Sequence, residues 1–375
     1  MVFEWRKMRF FTMASSLEIK PSNFLPFAYN YMRWHFNHYI RDKPFPLIAQ
    51  FYTSHICNFR CDYCNFWRNP DKRHIPLPRY KSLIDELSGM GTCFVNFTGG
   101  EPLILPDIIE RIRYTKHKIP YMHVVSNGSL LDEETARALQ ETGIDAVSIS
   151  MNAYGSEMDK ATGFKGAFRK AVQAVENLKV FAPGVSTSIN SVITPWNTAE
   201  LRKIHALANE LGVDHKFQAV SSHPEFKGQR TKATRFKFSD ADIGMVRAFT
   251  DEMSNEGNVA NSTHYLRQVG DYFEGKNTAG LFAEQCITPH YFVEFWGDGA
   301  FSPCLTGTGW KQRFSIRDKG LRPILESGEY RDQQKCLENC RTCSTNMQVC
   351  IMEPRIFFPL KNFIKYTALP RVRFR

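Results

Sequence analysis

From Phe45 onward the chain alternates two hydrophobic periods. Short β-type runs occupy 47–53, 93–98, 121–126, 146–151, 185–193 and 214–220, and segments near 78–90, 106–117, 132–142, 166–180 and 197–211 carry apolar residues at helical spacing between them. Strands separated by single helices imply parallel βαβ units. Six such units predict an α/β fold, a curved open sheet or a partial (β/α)6 TIM-like barrel, whose functional loops sit at the strand C-termini. After Val220 the periodicity weakens, and a stretch bearing Cys and Gly reads as a second, metal-held module. The expected division is an N-terminal amphipathic extension (1–45), a barrel (46–220), a connecting region (221–280), the C-terminal module (281–353) and a basic amphipathic tail (354–375).

Charge sharpens that division. The formal net charge is +10 over 375 residues. Residues 1–45 carry seven Lys/Arg against three Asp/Glu, residues 351–375 carry six against one, and the remainder is nearly neutral. A core that is not basic overall argues against a general nucleic-acid binder. No run reaches the ~18 apolar residues of a membrane span, and Glu4, Arg6, Lys7 and Arg9 interrupt the N-terminal apolar residues. The expected location is the cytoplasm, with peripheral membrane contact through the ends as an open reading. In a reducing compartment the ten cysteines need an explanation other than disulfides.

Cys57, Cys61 and Cys64 supply the strongest chemical signal, a C-x3-C-x2-C spacing just after the first predicted strand. Three thiolates can hold three irons of a cubane and leave the fourth without a protein ligand. A structural zinc site would need a fourth ligand, for which His55 and His74 are near in sequence. Gly99, Gly100, Glu101 and Pro102 end the second strand, and Ser126, Asn127 and Gly128 follow the third. Cysteines, GGEP and SNG on successive βα units resemble the radical S-adenosylmethionine (SAM) superfamily over about residues 46–220. The resemblance implies a [4Fe-4S] cluster on Cys57, Cys61 and Cys64, with SAM chelating the open iron. A low-potential electron donor would drive cleavage of SAM to a 5'-deoxyadenosyl radical. By the same resemblance, Gly99, Gly100 and Glu101 would hold the methionyl ammonium and Tyr63 would lie near the adenine. Ser126, Asn127, Ser150 and Asn152 would be polar contacts of SAM. Thr162 stands where a basic partner of the SAM carboxylate is expected, leaving Lys165 or Arg169 for that role. Cys93, alone in a β-type run, reads as core.

Six more cysteines follow, Cys286, Cys304, Cys336, Cys340, Cys343 and Cys350. The spacing Cys286-x12-Gly299-x4-Cys304 resembles the SPASM/Twitch extensions of radical SAM enzymes, which implies an auxiliary [4Fe-4S] cluster. The assigned ligands are Cys286, Cys304, Cys340 and Cys343, with Cys336 or Cys350 as substitutes; zinc is the alternative metal. Glu294 and Asp298, beside this framework, are candidate proton acceptors.

Tyr29, Met32, Phe36 and Tyr39 recur at helical spacing near the N-terminus, and Ile356, Phe357, Leu360, Phe363 and Ile364 do so in the tail, each set accompanied by basic residues. Such faces either lie in a membrane interface or pack on the barrel's lower rim. The segment 226–238 holds five basic residues and no acidic one. The substrate classes left open are a peptide, from the SPASM resemblance, a lipid or isoprenoid, from the amphipathic ends, and, behind them, a nucleotide or RNA. A non-enzymatic iron-sulfur carrier or zinc-binding interaction protein is the competing class.

Overall fold

The computed structural model describes residues 20–41, 45–194, 197–221, 238–276, 286–304, 314–340 and 347. Six strands form where the β-type runs predict them: β1 (Ile48–Tyr52), β2 (Phe94–Thr98), β3 (Tyr121–Ser126), β4 (Ala146–Ser150), β5 (Ser186–Ile193) and β6 (Asp214–Ala219). Each pairs in parallel with the next. The intervening helices are α2 (Leu77–Met90), α3 (Ile108–Lys118), α4 (Glu133–Thr142), α6 (Ala167–Phe181) and α7 (Thr198–Leu211), after an N-terminal α1 (Pro21–Tyr39). A short α5 (Ser156–Thr162), not expected from periodicity, precedes α6.

Period-2 alternation decides which side chains face the helices. Ala49, Phe51, Val95, Phe97, Met122, Val124, Val147, Ile149 and Ile189 share one buried core with Leu83, Ile84, Ile112, Leu139, Ala174 and Leu178 of the helices. Full burial of each larger aliphatic or aromatic side chain contributes roughly 1.5–3 kcal/mol. The alternate positions, Gln50, Asn96, His123, Ser148, Asn190 and Lys216, therefore point to the opposite, inner face, and all six are polar.

The connecting region supplies α8 (Asp240–Met253) and α9 (Thr263–Phe273), which share a second core with Phe217 and Ala219 of β6. Part of the segment read as a C-terminal module joins the same sheet. Its β7 (Phe292–Trp296) pairs in parallel with β1, placing Glu294 opposite Gln50, and β8 (Ala300–Ser302) and β9 (Phe314–Ser315) continue antiparallel. Three helices complete the described C-terminal part: α10 (Thr288–Tyr291), α11 (Leu321–Leu325) and α12 (Gly328–Glu338).

Helix α1 lies against the N-terminal ends of the strands. Trp34 is buried with Leu47, Cys93, Tyr291 and Phe292, and its indole N–H donates to the His290 carbonyl at 3.0 Å. Lys20 Nζ reaches the carbonyls of Gly143 and Ile144 at 3.4 and 3.3 Å, just before β4. This face closes the lower rim, and Cys93 is core, as expected. The opposite face carries Leu25, Tyr29, Met32, Phe36, Tyr39 and Ile40 exposed to solvent. Among the described residues no helix is long and apolar enough to cross a membrane. The tail and the basic segment 226–237 lie outside the described residues.

Candidate functional site

A cavity of about 340 Å³ occupies the barrel interior and opens beneath the cysteine loop. Cys57, Cys61 and Cys64 line it, together with Tyr63, Thr98, Gly99, Gly100, Ser126, Asn127, Ser150 and Asn152. Loops at the ends of β1, β2, β3 and β4 thus meet at one place, which their positions at the C-termini of parallel strands require.

The two glycines of the second loop are needed for backbone approach. Gly100 N–H donates to the Ser54 carbonyl at 2.9 Å and Glu101 N–H to the Ile56 carbonyl at 2.8 Å. A Cβ on Gly100 would fall 1.9 Å from the Ile56 oxygen, and Gly99 adopts φ +116°. Only glycine fits this zipper between the GGEP turn and the start of the cysteine loop.

Glu101 does something other than expected. Its carboxylate is buried and accepts from Ser126 Oγ at 2.8 Å, Asn127 N–H at 2.6 Å and Leu103 N–H at 3.1 Å. Burial pushes its pKa up to about 7 against these donors. The carboxylate is not among the groups lining the cavity, so it braces β2's loop to β3's loop, and Gly99 and Gly100 are what that motif presents. From the third loop, Asn127 Nδ2 donates to Asn58 Oδ1 at 2.9 Å and lies 4.0 Å from the Cys57 sulfur. Asn58 in turn donates to Ser129 Oγ at 2.7 Å. From the fourth, Asn152 Nδ2 bonds the Tyr63 hydroxyl, and Asn152 Oδ1 accepts from Val192 N–H at 2.7 Å. Asn58, Ser129 and Asn197, which donates to the Asn152 carbonyl at 2.7 Å, escaped the sequence reading because their partners belong to other strands.

The three thiols come from one short loop and line the cavity, a donor set of the kind that suits a cubane. Burial pushes Cys57 up to about 11 and raises Cys61 and Cys64 as well. They are protonated until iron displaces the protons. Among the described residues no three His, Cys, Asp or Glu side chains converge as on a single ion, whereas a cubane takes one thiolate per iron. His55 is engaged by the Asp71 carbonyl at 3.0 Å and Asn69 Nδ2 at 3.3 Å, and His74 is exposed. Neither completes a zinc site here.

Lys165 and Arg169 are exposed and do not line the cavity, while Thr162 does. Its carbonyl accepts from Arg60 N–H at 2.7 Å, tying α5 to the cysteine loop. Asp159 caps α6 through Gly166 N–H at 2.6 Å and Phe168 N–H at 3.2 Å. Deeper in the barrel, Tyr52 OH donates to the buried carboxylate of Glu294 at 2.9 Å. Asp298 sits instead in the half-exposed β7–β8 turn, accepting from Ala300 N–H at 2.9 Å, and is removed from the interior.

Of the C-terminal cysteines, Cys286 and Cys304 are buried, Cys340 is half-buried and Cys336 is exposed on α12. Cys286 N–H donates to the Glu338 carbonyl at 3.1 Å, at the end of α12 and two residues before Cys340 in sequence. Cys343 and Cys350 lie outside the described residues.

Residues 51–208 match the model of the Radical SAM superfamily. The chain is 24% identical over 274 residues to the PqqA peptide cyclase of Gluconobacter oxydans, covering 72% of this chain and 66% of that protein, just under two thirds of its length. It is 28% identical over 316 residues to the AdoMet-dependent heme synthase of Methanosarcina barkeri, covering 76% and 85%. It is 31% identical over 169 residues to the mycofactocin maturase MftC of Mycolicibacterium smegmatis, covering 44% and 43%. The fold is shared with Streptococcus suis SuiB bound to S-adenosylmethionine, with a TM-score of 0.61, 18% identity and coverage of 80% and 72%. It is also shared with anSMEcpe bound to AdoMet and a peptide, with a TM-score of 0.58, 19% identity and coverage of 86% and 97%.

Proposed function

We propose, from the match of residues 51–208 to the Radical SAM superfamily model, that this protein is an enzyme that reductively cleaves SAM and modifies a peptide by hydrogen abstraction or radical addition. The observation that carries this reading is the cysteine loop braced over the barrel cavity by the ends of β2, β3 and β4. Cys57, Cys61 and Cys64 would hold the [4Fe-4S] cluster, and the backbone of Gly99 and Gly100, with Ser150 and Asn152, would orient SAM beneath it. When bound, the two cofactors supply reductive carbon–sulfur cleavage and hence a hydrogen-abstracting radical. The chain's own part is to keep water away with Tyr52, Phe66 and Trp67 and to fix the loops. Cys286, Cys304, Cys340 and Cys343 would carry an auxiliary cluster. Relatives named as a peptide cyclase and a mycofactocin maturase support a peptide substrate. Free thiols and a low-potential donor fit a cytoplasmic setting.

Anaerobic reconstitution with iron and sulfide, then dithionite and SAM, should yield 5'-deoxyadenosine. Intact clusters with no 5'-deoxyadenosine would refute the reading.

A lipid substrate, reached from a membrane surface, is a second reading with one observation in its favour. The outer face of α1 leaves Leu25, Met32 and Ile40 exposed by 75%, 70% and 71%, in a region of excess positive charge. Interfacial helices combine bulky apolar residues with basic ones in this way. Flotation with phosphatidylglycerol vesicles should recover the wild type and lose the L25S/M32S/I40S variant. Equal recovery of both removes this reading.

A further inference from the structure

Lys216 is the cation that lines the interior cavity. It stands in the middle of β6, on the inner face, opposite Asn190 of β5. Among the described residues lining the cavity it is the one with a formal charge at neutral pH besides whatever the three cysteines bind. Neither Arg nor Asp nor Glu among the described residues contributes to the wall. His123, the other basic side chain there, is bonded to Ser148 Oγ at 2.8 Å, and burial holds it neutral.

Lys216 is half-buried on the cavity wall, and among the described residues its ammonium makes no hydrogen bond or ion pair. Asp214, two residues earlier, acts on it only through space. A charge drawn part-way out of water and left unpaired is costly, and an opposite charge arriving beside it relieves that cost. One lysine without an arginine or a nest of backbone N–H groups balances a monoanion better than a phosphate dianion. The amides of Asn190 and Gln218 are on the same wall and can add neutral donors. Across the cavity, Asn96 Oδ1 is a buried acceptor without a partner.

We propose that Lys216 is a carboxylate receptor inside the barrel, assisted by Asn190 and Gln218. The proposal rests on the SAM-binding reading above, because the same cavity admits two carboxylates, that of SAM and one on the second substrate. The chemistry is common to both, and binding measurements separate them.

The test uses the reconstituted full-length protein as wild type, K216M and K216R. Isothermal titration is run with SAM and with decarboxylated SAM. Thermal unfolding of the SAM-loaded protein is run with glutarate and with glutaramide. If K216M weakens SAM by about 10- to 100-fold, leaves decarboxylated SAM unchanged and is rescued by K216R, the carboxylate is that of SAM. If SAM affinity is unchanged but glutarate stabilises wild type and K216R and not K216M, with glutaramide inert, the carboxylate belongs to the second substrate. If neither readout depends on residue 216, the proposal is overturned. Should K216M fail to fold, K216Q against K216R makes the same comparison. Absence of SAM binding by the wild type would instead refute the cofactor reading, so the two failures are distinct.

Discussion

The two groups of cysteines in this chain are built on different plans. In the loop 57–64 three thiols come from one short stretch, and every neighbouring strand end adds a brace: Gly100 and Glu101 through the backbone, Asn127 through Asn58, Asn152 through Tyr63. Cys286 and Cys340 are far apart in sequence, and their segments meet only because the chain before α10 bonds to the Glu338 carbonyl at the end of α12. The first plan makes the ligand set a local property that spacing alone reveals. The second makes it a tertiary property, in which spacing supplies a list of thiols but not their partners.

Removing ligands is the sharpest way to break the comparison. Replacing Cys57, Cys61 and Cys64 by Ala should reduce 5'-deoxyadenosine to background while iron remains on the C-terminal cysteines. The C286A/C340A pair should do the reverse, losing that iron and keeping SAM cleavage in the absence of a second substrate. Chromatography of the nucleoside and iron analysis of each protein decide the point, and SAM cleavage surviving the triple change would sink the first assignment.

Next in size is Gly100→Ala. Its methyl group would strike the Ile56 carbonyl, so it should cost at least about 2–3 kcal/mol in chemical denaturation and release the cysteine loop. A variant as stable as wild type would show that the zipper is not needed.

Asn127→Ala removes the donor to Asn58 and the amide that lies 4.0 Å from the Cys57 sulfur. It should lower apparent iron affinity about 10- to 100-fold, with a fold cost of about 1–2 kcal/mol. Unchanged affinity measured by chelator competition would leave the brace a packing feature alone.

The smallest effect separates the interior wall from both cysteine groups. Burial lowers the Lys216 pKa to about 8, opposed by Asp214 on the same strand, and His123 across the cavity remains neutral. The ammonium is present below that pH and lost above it. Carboxylate affinity should therefore fall about tenfold between about pH 7 and about pH 9, and K216R should flatten the profile.

Much of this was legible in the residues. Apolar positions at period two and at helical spacing marked strands and helices closely, because each βα unit buries its outward strand face against its own helix. The interior was harder to read. Gln50, Asn96, His123, Ser148 and Lys216 are the inward partners of those apolar positions, and their alternation was visible, but their convergence required six registers to be known together. Glu101 was expected at the ligand, and Lys165 or Arg169 at a carboxylate. The carboxylate was instead consumed by donors from β3, and the two cations pointed to solvent while Lys216 lined the cavity. Helix α1 divided the readings made for it, with Trp34 closing the rim and Met32 left outside.

By itself, then, the sequence determined the order of strands and helices and the cysteine loop, since both depend on residues near one another in the chain. Tertiary structure decided which polar groups are spent on bracing and which face the cavity. It also joined β7 to the barrel and brought Cys286 to α12. The physical reason is that a buried donor or acceptor takes whichever partner the fold brings within 3 Å or so, and that partner is set by register rather than by neighbours in sequence.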